Sequence, residues 1–312
     1  MFAENFLDFK NVAFDSNISE GHGGHVHIEG GGPGSKFDGC SFVDGRLMIS
    51  EALGGAMYVE GSSDLELHDC DANQNYSGDD GGAFLFNTTG TVTIDSSRLM
   101  SNRPEHDSDG FFSGSGGQVK AARSQVIIVD SYIHGYAGVG GAIYGDFDIR
   151  RSTITGMAGA ACGAASLSSS SIVVSSVLIG STDGALGAVG GGDFKDCILI
   201  CNRAENTESS DGWDISTLGF RMRNAVDCFI YAKWLDEIAV ITGTDSGNQI
   251  GDEYGCRADF DRDGDVDADD ADHVLALVGT TGWGLAEDLD HDGDIDAQDH
   301  LDVVAFEGTS CP

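Results

Sequence analysis

A column of small residues, recurring at one place in a short pattern, constrains this chain most. A polar or small residue, then Cys or Ser, then an apolar run appears at Asp38-Gly39-Cys40-Ser41-Phe42 and His68-Asp69-Cys70-Asp71-Ala72. It returns at Ser96-Ser97-Arg98-Leu99, Asp130-Ser131-Tyr132-Ile133 and Arg151-Ser152-Thr153-Ile154. Ser175-Ser176-Val177-Leu178, Asp196-Cys197-Ile198-Leu199 and Asp227-Cys228-Phe229-Ile230 complete the series. The aligned position reads Cys40, Cys70, Ser97, Ser131, Ser152, Ser176, Cys197, Cys228, at spacings of 30, 27, 34, 21, 24, 21 and 31. A weaker copy, Val12-Ala13-Phe14-Asp15-Ser16-Asn17, precedes them. Such self-similarity is the mark of a repeat architecture, in which each unit buries its apolar face against its neighbours.

A second marker alternates with the first. It is a Gly-Gly or Gly-Ala step before a short apolar run, as at Gly54-Gly55-Ala56-Met57-Tyr58-Val59, Gly81-Gly82-Ala83-Phe84 and Gly140-Gly141-Ala142-Ile143. Asn or Gly closes the first motif at Asn17, Asn75, Asn102, Gly156, Gly180 and Asn202. Two or three short strands per unit, with Gly and Asn at the corners, predict the coils of a parallel β-helix. Asn and Gly tolerate the left-handed backbone of tight corners, and small residues suit a tightly stacked interior column. About nine coils give an axis of ~40 Å. A Gly/Ser-rich β-sandwich is the alternative.

The alternating GGA-apolar and F-x-x-N-like steps resemble the repeat of polymorphic outer-membrane proteins. More broadly, they resemble the right-handed parallel β-helix group that includes pectate lyases, over about residues 8–232. The resemblance implies a mainly β, right-handed parallel β-helix, expected over residues 1–245, with a linker at 246–255. Two insertions leave the same corner of different coils, around 102–114 and 203–218. They carry Glu105, His106, Asp107 and Asp109, then Glu205, Glu208, Asp211, Trp213 and Asp214. One-sided insertions on a solenoid often form its binding face, and Trp213 could stack on a sugar.

Charge divides the chain. It holds 52 Asp+Glu and 16 Lys+Arg, a formal net charge of −36. Residues 252–312 hold 19 acids and 2 bases, or −17; the first 251 hold 33 and 14, or −19. So acidic a chain is not expected to bind nucleic acid, because phosphate neutralisation needs Lys and Arg. No stretch approaches the roughly 18 apolar residues of a membrane span. No secretory leader is visible at the start; the expectation is nonetheless an extracellular or cell-surface protein, with either a truncated start or a place as a fragment of a longer secreted protein.

The acidic segment has an ordered spacing. Asp259-Phe-Asp261-Arg-Asp263-Gly264-Asp265-Val266-Asp267-Ala268-Asp269-Asp270 is one loop of twelve. Asp288-Leu-Asp290-His-Asp292-Gly293-Asp294-Ile295-Asp296-Ala297-Gln298-Asp299 is the second, in the same phase. Carboxylates at positions 1, 3, 5, 9 and 12, with Gly at 6, wrap one Ca²⁺ in hard oxygen ligands. Side chains at 1, 3, 5 and 12 (Asp259, Asp261, Asp263, Asp270; Asp288, Asp290, Asp292, Asp299) are the expected ligands. The carbonyls of Asp265 and Asp294 join them, and Asp267 and Asp296 act through water. The carboxylates repel each other without a cation, so two Ca²⁺ are expected. An apolar helix follows each loop and none precedes it.

Loop–helix, linker, loop–helix resembles a type I dockerin over about residues 256–312. The resemblance implies a secreted module that attaches to a cohesin-like or surface scaffold protein. It also implies partner recognition by positions 10 and 11, here Ala268 and Asp269, then Ala297 and Gln298. Cys256 and Cys311 flank this segment, and its pseudo-symmetric halves bring the ends close, so a Cys256–Cys311 disulfide could clasp them in an oxidising compartment. Cys40 and Cys70 are expected to stack as buried thiols.

Catalytic signals are sparse. Asp79-Asp80 and His22-Gly23-Gly24 resemble pieces of polygalacturonase motifs. His22, His25 and His27 form a corner expected to be exposed rather than metal-binding. Function is therefore expected to be attachment or protein–protein interaction through the calcium module. A carbohydrate-active enzyme acting on polysaccharide, carried by a dockerin, is the alternative.

Overall fold

The computed structural model describes residues 2–3, 6–30, 34–49, 51–62, 64–104, 114–161, 164–182, 186–204, 218–222, 224–226, 228–232, 237–241, 243–246, 248–251, 254–261, 263–283, 285–290 and 292–311. The chain is mainly β, and its strands pair in parallel, coil on coil. One coil runs Met57–Gly61, Leu65–His68, Asp71–Asn73 and Tyr76–Ser77. The last three strands pair in parallel with their counterparts on the following coil: Leu65 with Val92, Asp71 with Arg98, Tyr76 with Arg103. Stacked parallel strands of this kind are consistent with a parallel β-helix.

The Cys/Ser column follows a corner residue in left-handed conformation. Gly39, Asp69, Ser96, Asp130, Arg151, Ser175 and Asp196, each one residue before a column member, have φ of 46–62°. That turn strands backbone groups inside the stack, and the next residue satisfies them. Ser97, Ser131, Ser152 and Ser176 are buried. Their hydroxyls donate to the carbonyls of Asp95, Val129, Arg150 and Val174 at 2.7–2.8 Å. They accept from the amides of Cys70, Ser97, Ser131 and Ser152 on the preceding coil. A small hydroxyl is the group that does both. At the ends of the column thiols substitute, with Cys70 Sγ donating to Phe37 and His68 carbonyls. Cys40 and Cys70 are buried free thiols, and burial pushes Cys70 up to about 12.

A second ladder fills the next corner. Asn75 Nδ2 donates to Phe42 O and to Asn102 Oδ1, and Asn102 Nδ2 donates to Ala72 O and to Gln118 Oε1. His25 Nε2 shares a 3.0 Å bond with Asn75 Oδ1. His25 is 2 % exposed, which corrects the expectation of an exposed histidine corner. His25 lies at the Gly-Gly corner ahead of strand Val26–Gly30 and is turned inward there, while His27, between inward Val26 and Ile28 in that strand, bonds Glu60 on the outside.

The Gly-Gly step is dictated by space. Gly54 sits at φ +70°, and a Cβ on Gly55 would lie 2.2 Å from the Gly82 carbonyl oxygen on the next coil. The core behind it is apolar, with Phe37, Phe42, Phe84, Phe86, Phe147 and Phe194 fully buried. Phe14 stacks on Phe42 at 5.0 Å, which fixes the weaker first copy of the repeat in register.

Two features depart from expectation. The second corner vanishes where Asn gives way to Gly135. From Tyr132–Val139 onward the chain runs straight through it as one long strand. In addition, Asp245 and Ser246 pair with Ala225 and Val226, and Gln249–Gly251 pairs with Phe229, Ile230 and Tyr231. Part of the stretch expected as linker is thus a further rung, the tenth strand of one sheet. Asn248 takes the column position there, its Oδ1 accepting from Cys228 N. The column signal missed it because Asn replaces Ser or Cys.

Beyond the coils lie α1 (Ala268–Leu277) and α2 (Ala297–Phe306), around a small core of Val266, Val274, Leu289, Ile295 and Val303. Cys256 and Cys311 are joined by a disulfide, with Cα atoms 5.5 Å apart and a sequence separation of 55. The link is expected to be worth about 4 kcal/mol on the chain-entropy account. Cys256→Ser with Cys311→Ser should lower the denaturant midpoint of this segment; an unchanged midpoint would refute that.

Candidate metal centre

Each acidic loop ends by capping its own helix. Asp267 and Asp296 are the N-caps, accepting from Asp269 N at 2.7 Å and Gln298 N at 2.6 Å. Asp270 and Asp299 close capping boxes, each accepting back from the cap residue's amide at 2.9 and 2.8 Å. They also accept from Phe260 N and Leu289 N, drawing the start of each loop against the helix that follows it. Asp259, Asp270, Asp288 and Asp299 are buried.

That fold-back gathers oxygens. In each loop the first three acidic positions, Asp259, Asp261 and Asp263, and Asp288, Asp290 and Asp292, bring one carboxylate oxygen apiece within 4.8 Å of one another. Asp265, Asp267, Asp270, Asp294, Asp296 and Asp299 are not members of those two triads. Positions 9 and 12 also serve the caps of the helices that follow. Gly264 and Gly293 take φ of +106° and +98°, the turn the loop needs at position 6. Hard oxygen donors of this number and closeness fit a metal ion, so two acidic triads could each hold one.

The electrostatics agree. Asp265 is raised above the usual carboxylate range because it shares a hydrogen bond with Asp263 and feels its charge. Asp294 is raised in the same way by Asp292. Asp290 is raised by burial and by its acidic neighbours. In each case nearby carboxylate charge contributes to the rise, and that charge is what a cation between them would neutralise.

Ala268, Asp269, Ala297 and Gln298 are exposed at the starts of the two helices. Gln298 Nε2 donates to Asp302 at 2.8 Å. Leu275, Val278, Leu301 and Val304 are large apolar side chains exposed further along or just past those helices.

A separate cluster lies on the coils. Asp80 pairs with Lys120 and accepts from Ser115 N at 2.7 Å. Lys120 Nζ stands 5.4 Å from the Tyr144 ring centroid. Asp79 is raised by burial, then by Asp80. Tyr144 also lines a cleft of about 640 Å³, with Thr89, Arg123, Gln125, Asp146 and Ser166 among others; Asp79, Asp80 and Lys120 are not part of its lining. The acidic insertions with Glu105, His106, Asp107, Asp109, Glu205, Glu208, Asp211, Trp213 and Asp214 fall outside the described residues. So does Cys162, and nothing is described of the Cys201 side chain.

The fold and site together define a mainly β protein of stacked parallel strands, with a small helical segment holding two candidate metal triads. No family model matches this chain, and searches of curated proteins and of solved structures found no match either.

Proposed function

We propose that this is a secreted or cell-surface protein in which a right-handed β-helix is carried by a dockerin-like terminal module that binds two Ca²⁺ and attaches the chain to a scaffold protein. The observation that carries the reading is the pair of acidic triads, at matching positions of their loops, each running into a capped helix. Oxygen-only donors and a flexible Gly at position 6 favour Ca²⁺ over softer metals. The Cys256–Cys311 disulfide is consistent with an extracellular setting. No helix among the described residues is long and apolar enough to cross a membrane. Asp259, Asp261, Asp263, Asp288, Asp290 and Asp292 would hold the ions. Attachment would use Ala268, Asp269, Ala297 and Gln298 with the exposed apolar side chains of the helices. Calorimetry of the chelator-stripped protein should show two Ca²⁺ bound per chain. A stoichiometry of zero would remove the basis of the reading.

The Asp79–Asp80–Lys120 cluster favours a second reading, a carbohydrate-active enzyme. Two neighbouring carboxylates in different surroundings, Asp80 ion-paired with Lys120 and Asp79 partly buried, are the kind of pair that acid–base catalysis uses. A tyrosine-lined cleft suits a sugar ring. In a polysaccharide panel assayed with calcium, turnover should fall by about 100-fold or more in Asp79→Asn and Asp80→Asn. Absence of turnover by the parent on every polysaccharide would end this reading.

A further inference from the structure

The outer face of the ten-stranded sheet is covered where a solenoid would normally meet solvent. Leu178 and Leu199 point into the coil core, so alternation directs Val177, Ile198 and Ile200 outward. These three are nonetheless only 1 %, 8 % and 1 % exposed. They form their own apolar cluster, against which Ile179 and Ala286 pack. Ala286 belongs to the segment between the two acidic loops, far from these strands in sequence.

A second contact lies nearby. The Trp283 ring faces Tyr132 of the same sheet at 4.7 Å between centroids, tilted by 34°. The indole also abuts the second acidic loop: a Cβ on Gly293 would lie 2.9 Å from it. Backbone bonds tie this segment to that loop. Gly282 N donates to Gly293 O at 2.9 Å, and Ile295 N donates to Thr280 O at 2.8 Å. Thr281 bridges Asp294. One short stretch thus touches the coils with Trp283 and Ala286 and holds the loop of Asp288, Asp290 and Asp292 with its backbone.

We infer that Trp283 and Ala286 latch the helical segment onto the outer face of the ten-stranded sheet, and that cation occupancy of the second acidic loop closes the latch; the gating half rests on the calcium reading above. A cation between the three carboxylates fixes the backbone through Gly293 and Ile295, and with it the position of residues 280–283. Without the cation, repulsion in the loop loosens that position, and the latch releases Val177, Ile198 and Ile200 to solvent. Linkage makes the effect reciprocal: whatever the cation adds to docking, docking adds to cation affinity at the second loop.

The test uses the full chain with Trp213→Phe and Trp234→Phe, so that Trp283 is the sole indole. Adding Ca²⁺ to chelated protein should shift Trp283 emission and lower the binding of a hydrophobic dye. Ala286→Asp places a carboxylate in the Val177–Ile198–Ile200 contact. With Ca²⁺ present it should still bind two ions, the second about five-fold or more weakly, while emission and dye binding stay at their chelated values. Tyr132→Ala supplies a second variant that adds no charge, and should shift both readings the same way. The latch is overturned if both variants bind Ca²⁺ and match the parent in emission and dye binding. Gating is overturned if calorimetry shows two ions bound while parent emission and dye binding do not change. Absence of Ca²⁺ binding would instead overturn the calcium reading together with the gating, leaving the latch to be judged by dye binding of the variants against the parent.

Discussion

Chelation of the intact protein is expected to move the melting of residues 256–312 down by about 20 °C or more, while the coils keep their own transition. At a cation concentration 1,000 times its Kd, one site adds about 4 kcal/mol, and 1 kcal/mol shifts a domain of this size by about 4–8 °C. Two sites make this the largest effect that solution conditions should produce, because a small segment with buried carboxylates has little other core to rely on. The disulfide keeps the ends together but does not neutralise Asp259 or Asp288. The pH dependence has a definite sign. Asp265, Asp290 and Asp294 have raised carboxylate pKa values in the cation-free fold. Their contribution is present at low pH and is lost as pH rises through the raised values. The cation-free segment should therefore gain stability on acidification. Calcium affinity should fall over the same range, as protons compete for the oxygens. Differential scanning calorimetry with and without chelator, at several pH values, reads both. A single transition that ignores the chelator would refute the expectation.

Asn102→Ala is expected to be among the most damaging single changes in the coils, costing about 3 kcal/mol or more. The side chain accepts from Asn75 N at 2.8 Å and donates to Ala72 O at 2.7 Å and to Gln118 Oε1. Truncation strands three buried groups, each costing about 1–3 kcal/mol. None can reach water, since Asn75, Asn102 and Gln118 are fully buried. Glu66→Ala, which removes an exposed partner of Lys36, should stay within about 0.5 kcal/mol. Urea unfolding of the two variants side by side decides the matter; similar midpoints would mean the ladder adds nothing.

Much of the coil architecture was legible because stacking imposes strict local demands. A residue that follows a left-handed corner must be small and must satisfy stranded backbone groups, so Ser and Cys recur and can be counted. Gly55 cannot carry a Cβ, so Gly-Gly recurs. The carboxylate spacing of the loops was legible for the same reason, since one ion or one helix cap fixes several positions of a short segment at once. His25 was misread because the periodicity of three nearby histidines says nothing about which one an internal ladder recruits. The tenth rung was missed because Asn248 performs the column's hydrogen bonding with a different side chain.

The sequence by itself determined the features set within one coil or one loop: the mainly β repeat, its Cys/Ser and Gly-Gly columns, the two acidic loops, and Cys256 and Cys311 as candidates for pairing. Those follow from backbone geometry and close charges, which act over a few residues. Only the tertiary structure decided which groups meet across coils and between coils and helices. Asp80 reaches Lys120, His25 joins Asn75, and Trp283 meets Tyr132. The physical reason is that such contacts depend on how far the chain advances per coil and where the helical segment comes to rest. Both are sums over many residues rather than the property of any short motif.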